Sequence, residues 1–447
     1  MIDLKGKKVL VVGLGRSGQA AARVCADQGA VVTVTDRRGP EALSVARANL
    51  APGTIEELGG HREATFLSAE LIVLSPGVPE LPEIAAARKA GVPITGELEL
   101  GSWFNQGTMV AITGTNGKST TTTLCGNILK ATGSPTFVGG NLGEPLCEAV
   151  GTRAAAPGGM SVVEVSSFQL ETVDTFHPRV AVLLNVTPDH LDRYGSLARY
   201  AAAKARIFAR CDTAVINLDD PLVVAMARTA RRTLSFSLRA AIGADYAVAE
   251  HEGAWWLTRA GEPLLALKEL KIQGLHNAAN ALAALALGEA LALPGAAMLK
   301  ELRSFEGLPH RSQWVADVRG VRYVDDSKGT NVGATLAAVA GMAGPLVMIL
   351  GGEGKNQDFA PLAAGFRGKV RHAVLIGRDA AALEHALRGV CALERAVSLP
   401  DAVRAAAAAA RAGDTVLLSP ACASLDMFTD YAHRGAVFAQ AVAELAA

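Results

Sequence analysis

Short apolar runs recur along this chain at 8–12, 31–35, 71–74, 109–113, 161–165 and 180–185, several closing on glycine, with alanine-rich helical stretches between them. A strand followed by a helix and then another strand buries its apolar groups best when the helix crosses the sheet face and the strands run parallel. The alternation therefore predicts an α/β fold on parallel sheets. At 447 residues and roughly 100–200 residues per domain, one core is too few. The turns Gly77-Val78-Pro79 and Gly91-Val92-Pro93 close a first unit near Gly96, and Gly307-Leu308-Pro309 precedes a strand at 321–324. Three units are expected: 1–96, 97–307 and 308–447.

Lys and Arg total 43 and Asp and Glu total 43, so the formal net charge is zero. Any anion site must be local, and neither nucleic acid nor an acidic membrane is an expected partner. Apolar residues are dispersed through mixed segments such as 278–298, and no run reads as a membrane span. The apolar stretch at 9–14 is short and Arg16 soon follows, unlike a signal peptide. Six cysteines stand singly without a Cys-x-x-Cys pair, which fits reduced thiols and a cytoplasmic setting.

Two glycine turns carry the chemistry. The strand at 109–113 enters Gly114-Thr115-Asn116-Gly117-Lys118-Ser119-Thr120, with a helix expected from about Thr120. Glycines let backbone N–H groups close on phosphate oxygens, the helix N-terminus adds positive dipole, Lys118 adds charge and Ser119 offers a hydroxyl to Mg²⁺. The loop is two residues shorter than the general G-x-x-x-x-G-K-S pattern, yet reads as an ATP site rather than a solvated turn. The other turn, Gly13-Leu14-Gly15-Arg16-Ser17-Gly18, follows the first strand, with Asp36 at the end of the next. Alone it would suggest a nicotinamide dehydrogenase. One nicotinamide site leaves the loop at Gly114 without a purpose.

Further along, Glu164 stands among valines at the end of a strand, where a charge is costly unless paired or metal-bound. It is the leading Mg²⁺ ligand, with a salt-bridged structural glutamate as the alternative. After the strand at 180–185, Asp189, His190, Asp192 and Arg193 converge, and this setting favours His190 as a ligand or near-ligand. Lys204 lies in an apolar helical stretch and by itself reads as a snorkelling surface lysine. Asn277 and Asn280 lie one turn apart at the start of a long helix, where Asn277 could act simply as a cap. Arg311, Asp326 and Lys328 follow, with a solvated charge cluster as the alternative.

The segment Thr113-Gly114-Thr115-Asn116-Gly117-Lys118-Ser119-Thr120 resembles the signature loop of the Mur ligases and the related folylpolyglutamate synthetases. The N-terminal glycine turn, Ser419-Pro420-Ala421-Cys422-Ala423-Ser424-Leu425-Asp426, and Gly351-Gly352-Glu353-Gly354-Lys355 favour the Mur ligases, in the branch that adds D-glutamate to UDP-N-acetylmuramoyl-L-alanine. The resemblance runs over nearly the whole chain. It implies a Rossmann-like UDP-binding unit, a central ATPase unit and a Rossmann-like C-terminal unit, acting as a monomer through an acyl phosphate.

It also implies roles for particular residues. Gly15, Arg16, Ser17, Asp36, Arg37, Ser75, Pro76, Gly77, Asn141 and His190 would serve the UDP substrate, with no choice made between Arg37 and Arg38. The Gly114–Thr120 loop with Asn277, Asn280, Arg311, Asp326 and Lys328 would hold ATP. Thr330, Lys355, Ser424, Leu425 and Tyr431 would receive D-glutamate, although Tyr431 stands where phenylalanine is frequent and Glu353 where some members carry aspartate. Lys118, Glu164, His190 and Lys204 would be catalytic. Two Mg²⁺ ions would be held by Ser119, Glu164, His190 and Lys204, the lysine as an N-carbamate. A dehydrogenase and a non-catalytic nucleotide-binding regulator are the rivals from other classes.

Overall fold

The computed structural model describes residues 2–227, 230–272, 274–342 and 344–446. Three sheets follow one another along the chain. The first has five strands in the order Ile55–Leu58, Val31–Asp36, Lys8–Val12, Leu71–Leu74, Ile94–Gly96, all four pairings parallel. Val9 and Val11 face one core and Leu10 and Val12 another, as the two-residue side-chain period requires of a sheet covered on both faces.

The central sheet has nine strands, with Thr108–Thr113 between Val180–Leu183 and Met160–Glu164. Val110 and Ile112 pack with Leu124 and Ile128 of the helix Lys118–Ala131 and with Leu282 and Leu285 of the helix Leu275–Ala290. Ala111, Val163 and Leu183 turn the other way, onto Tyr200 and Ile207. Each such aliphatic burial stabilises by about 2 kcal/mol. Three neighbouring strands thus end side by side, and the loops after Thr113, Glu164 and Leu183 meet at one edge.

The helix after the phosphate loop starts at Lys118, two residues earlier than the sequence reading placed it. The central sheet also carries an antiparallel arm, Tyr246–His251, Ala254–Arg259 and Glu262–Ala266, that the sequence reading did not identify. Its two-residue turns, Glu252-Gly253 and Ala260-Gly261, place both residues at positive φ, the left-handed hairpin geometry that glycine favours. Arg319-Gly320 repeats the device between Gln313–Val318 and Val321–Asp325, at the edge of the third sheet. That sheet has six strands, with Thr415–Leu418 between Val321–Asp325 and Leu346–Gly351. Among the described residues no helix is long and apolar enough to cross a membrane.

Candidate active site at the joined strand ends

Gly117 has φ 84°, and a Cβ there would lie 2.4 Å from Asn280 Oδ1, so only glycine lets the loop pass under the helix Leu275–Ala290. Asn280 in turn accepts from Thr121 Oγ1 at 3.2 Å and donates to Asn277 Oδ1 at 3.2 Å. Gly274 precedes this helix as its cap, so Asn277 is a buried first-turn residue and the capping reading does not apply.

Two lysines are folded onto the loop. Lys118 Nζ donates to the carbonyls of Gly114 at 3.0 Å and Thr115 at 2.8 Å, and Lys204 Nζ donates to the Gly114 carbonyl at 2.9 Å. Lys204 is 1% exposed, which removes the snorkelling alternative. Burial lowers the pKa of both amines, and for Lys204 the neighbouring charge of Lys118 lowers it further. A buried amine so placed is shifted toward the neutral form, the form that reacts with CO₂.

Glu164 is the buried carboxylate of this region. Its Oε1 accepts from Asn141 Nδ2 at 2.7 Å, while Oε2 is buried with no partner among the described residues. A buried carboxylate oxygen without a hydrogen-bond partner is unfavourable unless a cation completes it. Lys118, Lys204, Arg311 and Lys328 are near enough to interact with it electrostatically, but among the described residues none forms an ion pair with it. Among the described residues no three His, Cys, Asp or Glu side chains form a metal cage. That donor set suits Mg²⁺, which commonly takes one or two carboxylates and finds its remaining oxygens on phosphates and water.

Asp189 is a hub that the sequence reading passed over in favour of its neighbour. Its Oδ1 accepts from Lys355 Nζ at 3.0 Å and from the His190 N–H at 2.9 Å, and its Oδ2 accepts from Asn331 Nδ2 at 3.2 Å. Burial alone would raise its pKa; Lys355 and His190 outweigh that and lower it. His190 adopts φ 53°, stacks edge-on against Phe168 at 4.9 Å and sets Nε2 3.8 Å from Asp189 Oδ2. Burial lowers its pKa, favouring neutral imidazole. Asn331 also donates to Asn116 Oδ1 at 3.2 Å, and Arg311 Nη2 donates to Ser119 Oγ at 2.6 Å. The third sheet's loops are therefore bonded directly to the phosphate loop.

A cavity of about 290 Å³ lies at this junction, lined by Asn116, Gly117, Thr120, Asn277, Asn280, Arg311, Asp326 and Lys328, with Phe236 and Leu238 as an apolar wall. Burial raises the Asp326 pKa to about 7 and lowers that of Lys328 to about 8. Asp326 is enclosed, accepting from Ser419 Oγ at 2.7 Å and the Ser312 N–H at 3.1 Å, so this cluster is not a solvated patch.

Thr330, Lys355, Ser424 and Leu425 sit on loops that leave three adjacent strands of the third sheet, and a bridge between Glu353 and Ala423 ties two of those loops together. Ser424 is buried and the Leu425 side chain is exposed. The ring of Tyr431 lies 3.8 Å beneath Lys328 Nζ. Beneath these loops Arg434 is wholly buried and donates to carbonyls of Ser327, Gly351, Cys422 and Ala423. Nothing in its local sequence pattern distinguishes it from an exposed helix arginine.

A second cavity, about 810 Å³, opens at the strand ends of the first sheet. Gly15, Arg16, Ser17, Asp36, Arg37, Ser75, Pro76, Gly77 and Asn141 all line it, whereas His190 does not. A Cβ on Gly18 would fall 1.8 Å from the Gly13 carbonyl, so the turn closes only with glycine there. Arg37 and Arg38 both line the cavity and both are exposed, and Arg38 is the one that pairs with Asp36, Nη2 to Oδ2 at 2.8 Å. Burial would raise the Asp36 carboxyl; Arg38 and the Leu14 N–H together hold it well below the usual range. Asn141 lines this cavity and also bonds Glu164, so one side chain joins the wall of this cavity to the phosphate-loop region.

Comparison with known proteins agrees with this layout. Residues 7–96 match the model of the Mur ligase MurD-like N-terminal domain, 112–288 the Mur ligase middle domain, and 310–422 the Mur ligase glutamate ligase domain. The chain is 48% identical to a UDP-N-acetylmuramoylalanine--D-glutamate ligase of Methylobacillus flagellatus, covering 100% of this chain and 98% of that one. It is also 48% identical to the ligase of the same name from Anaeromyxobacter dehalogenans, covering 99% of both. Among solved structures it shares its fold with the UDP-N-acetylmuramate-alanine ligase MurC of Thermotoga maritima, at 22% identity, 98% and 99% coverage and a TM-score of 0.62. A MurF ligase from Thermotoga maritima in complex with ADP gives a TM-score of 0.60 at 18% identity, covering 99% and 96%.

Proposed function

This chain belongs to the Mur ligase family, and from that premise we propose that it joins D-glutamate to UDP-N-acetylmuramoyl-L-alanine, using ATP to activate the carboxylate. It is an amide-forming ligase of peptidoglycan precursor synthesis. The observation that carries the reading is the bond from Asn141 to Glu164, which joins a lysine-free glycine cradle to a lysine-bearing one. We assign the first to the UDP group, the second to the ATP phosphates, and the 290 Å³ cavity to the nucleoside.

In the first step an oxygen of the alanyl carboxylate attacks the γ-phosphorus, the bond to the β-phosphate oxygen breaks, and ADP and an acyl phosphate result. Lys118 turns from its own loop carbonyls to the phosphate oxygens and neutralises charge as it moves. Arg311, already at the Ser119 hydroxyl, approaches the same phosphates from the third unit. Mg²⁺ supplies further charge neutralisation. Ser119, the bare oxygen of Glu164 and Lys204 as an N-carbamate would hold two such ions, which leaves the lone-pair nitrogen of His190 free for proton transfer. The carbamate forms when the neutral Lys204 amine adds to CO₂ and loses a proton; a ¹³C resonance after incubation with labelled bicarbonate, missing in K204A, tests it.

In the second step the uncharged amine of glutamate attacks the acyl carbon, the tetrahedral intermediate expels phosphate, and one amine proton leaves. We assign that proton to His190, whose burial favours neutral imidazole. Lys355, Thr330, Ser424 and the Leu425 backbone receive the glutamate carboxylates, Lys355 exchanging Asp189 for the substrate. Tyr431 supports Lys328 from below. All of these groups come from one chain, consistent with a monomer working in the cytoplasm, where its nucleotide substrates are.

The test is phosphate release from ATP with Mg²⁺ and UDP-N-acetylmuramoyl-L-alanine, comparing D-glutamate, L-glutamate and no amino acid. Release with D-glutamate alone is expected. Release with a different acceptor moves the substrate, and silence throughout overturns the ligase reading.

A further inference from the structure

His61 lines the 810 Å³ cavity yet has no part in the roles assigned above. Its position is fixed by the end of the strand Val31–Asp36. The N–H groups of Gly59 and Gly60 donate to the Asp36 carbonyl at 3.0 and 3.2 Å, which pins the loop that carries His61 beside Asp36. In a glycine-turn cradle the diphosphate sits at the first strand's turn and the nucleoside extends over the end of the second strand. His61 is therefore at the base end of the cavity.

The hydrogen bonds around it settle which ring nitrogen faces a ligand as an acceptor. Thr35 Oγ1 lies 3.1 Å from the Gly60 carbonyl and 3.0 Å from His61 Nδ1. A carbonyl only accepts, so the single hydroxyl hydrogen of Thr35 goes to Gly60, and Thr35 Oγ1 must accept from His61 Nδ1–H. In the neutral ring this leaves Nε2 as a bare lone pair, and it has no partner among the described residues. The edge of the ring is steadied by Phe66 at 5.9 Å.

Asp36 is the obvious competing acceptor, and it is already saturated. Its Oδ2 accepts from the Leu14 N–H and Arg38 Nη2, both at 2.8 Å, and its Oδ1 from the Arg38 N–H at 2.9 Å and Arg38 Nε at 3.0 Å. A carboxylate offers about four lone-pair positions. We infer that His61 is a base-reading residue: its Nε2 accepts the N3–H of uracil, with Thr35 fixing the tautomer that makes it an acceptor. Cytosine presents an unprotonated N3 at that place and would meet lone pair with lone pair. The inference rests on the reading of this cavity as the UDP site.

The probes are UDP and CDP, titrated calorimetrically into the full chain, with thermal melting to verify folding. Wild type should bind UDP about tenfold more tightly than CDP, the effect of one well-placed hydrogen bond against a repulsive pair. H61L should lose that ratio by weakening UDP alone. H61Q, whose amide can turn either its oxygen or its NH₂ to the base, should retain UDP binding and gain CDP binding. T35V keeps its volume but frees the ring, and should narrow the ratio. If H61L keeps the wild-type ratio, or weakens both nucleotides equally, the base-reading role is overturned while the cavity assignment stands. If wild type binds neither nucleotide, the cavity assignment falls and this inference with it.

Discussion

The chain contains two glycine turns of nearly the same local design, each running from a parallel strand into a helix, and they differ in what lies beneath them. Under the turn at Gly13–Gly18 the buried charge is matched, with Asp36 saturated by Arg38 and backbone N–H groups, while Arg16 and Arg37 line the cavity without an ion-pair partner among the described residues. Under the turn at Gly114–Ser119 the charges are left unresolved. Among the described residues Lys118 and Lys204 hydrogen-bond only to carbonyl and hydroxyl oxygens, Lys204 also lying over the Tyr200 ring, and Glu164 keeps a buried oxygen bare. A glycine turn binds phosphate in either setting; chemistry needs groups whose charge is completed only by the reacting species. The same backbone device thus serves recognition in one place and catalysis in the other.

The sharpest way to break this contrast is K118A. Phosphate release should fall by about a thousandfold, with thermal stability and affinity for the UDP substrate unchanged. Loss of UDP-substrate binding would mean the two turns are not separate sites. E164Q keeps the oxygen that Asn141 bonds and removes the charge; activity should fall by about a hundredfold, and the Mg²⁺ concentration for half-maximal rate should rise.

Glycine substitutions sharpen the contrast further. A Cβ on Gly15 meets nothing within 4 Å, so G15A should melt like wild type yet bind the UDP substrate about tenfold more weakly. Gly117 has positive φ and the Asn280 oxygen in the way, so G117A should lose about 1–3 kcal/mol of stability as well as ATP affinity. Equal behaviour of the two variants would contradict the proposed difference.

The smallest effect concerns pH. Lys328 has a pKa near 8 instead of the ordinary 10.5, so its ammonium is present below about 8 and lost as pH rises through that value. The ratio kcat/KM for ATP, which reports the free enzyme, should decline above about pH 8, and K328R should remove the decline. Stability moves the opposite way. Between pH 8 and 10.5 the unfolded chain binds the proton that folded Lys328 has released, so this group makes stability rise with pH.

Much of this was legible in the sequence, because parallel strands, glycine turns and apolar alternation are local patterns. The strand at 8–12 stands where its residues predict it, and the glycine loop after Thr113 does too, ending two residues early at Gly117. The antiparallel arm escaped because its signal, Glu252-Gly253 and Ala260-Gly261 between short mixed strands, is weak in an alanine-rich background. Lys204 read as a surface lysine because helical periodicity does not reveal which face another element will cover. Asp189, Asn331 and Arg434 matter through partners 83 to 166 residues away, which no local pattern encodes. Asp36 was read as a ligand contact, and only its four hydrogen bonds show that His61 is the freer acceptor.

The central claim is that the ligand of the first cradle delivers its carboxylate to the phosphate held at the second. Label the alanyl carboxylate of UDP-N-acetylmuramoyl-L-alanine with ¹⁸O, run the reaction with ATP, Mg²⁺ and D-glutamate, and weigh the phosphate released. One ¹⁸O atom per phosphate is expected, because the attacking carboxylate oxygen leaves with phosphorus. Unlabelled phosphate formed alongside the amide product would contradict it.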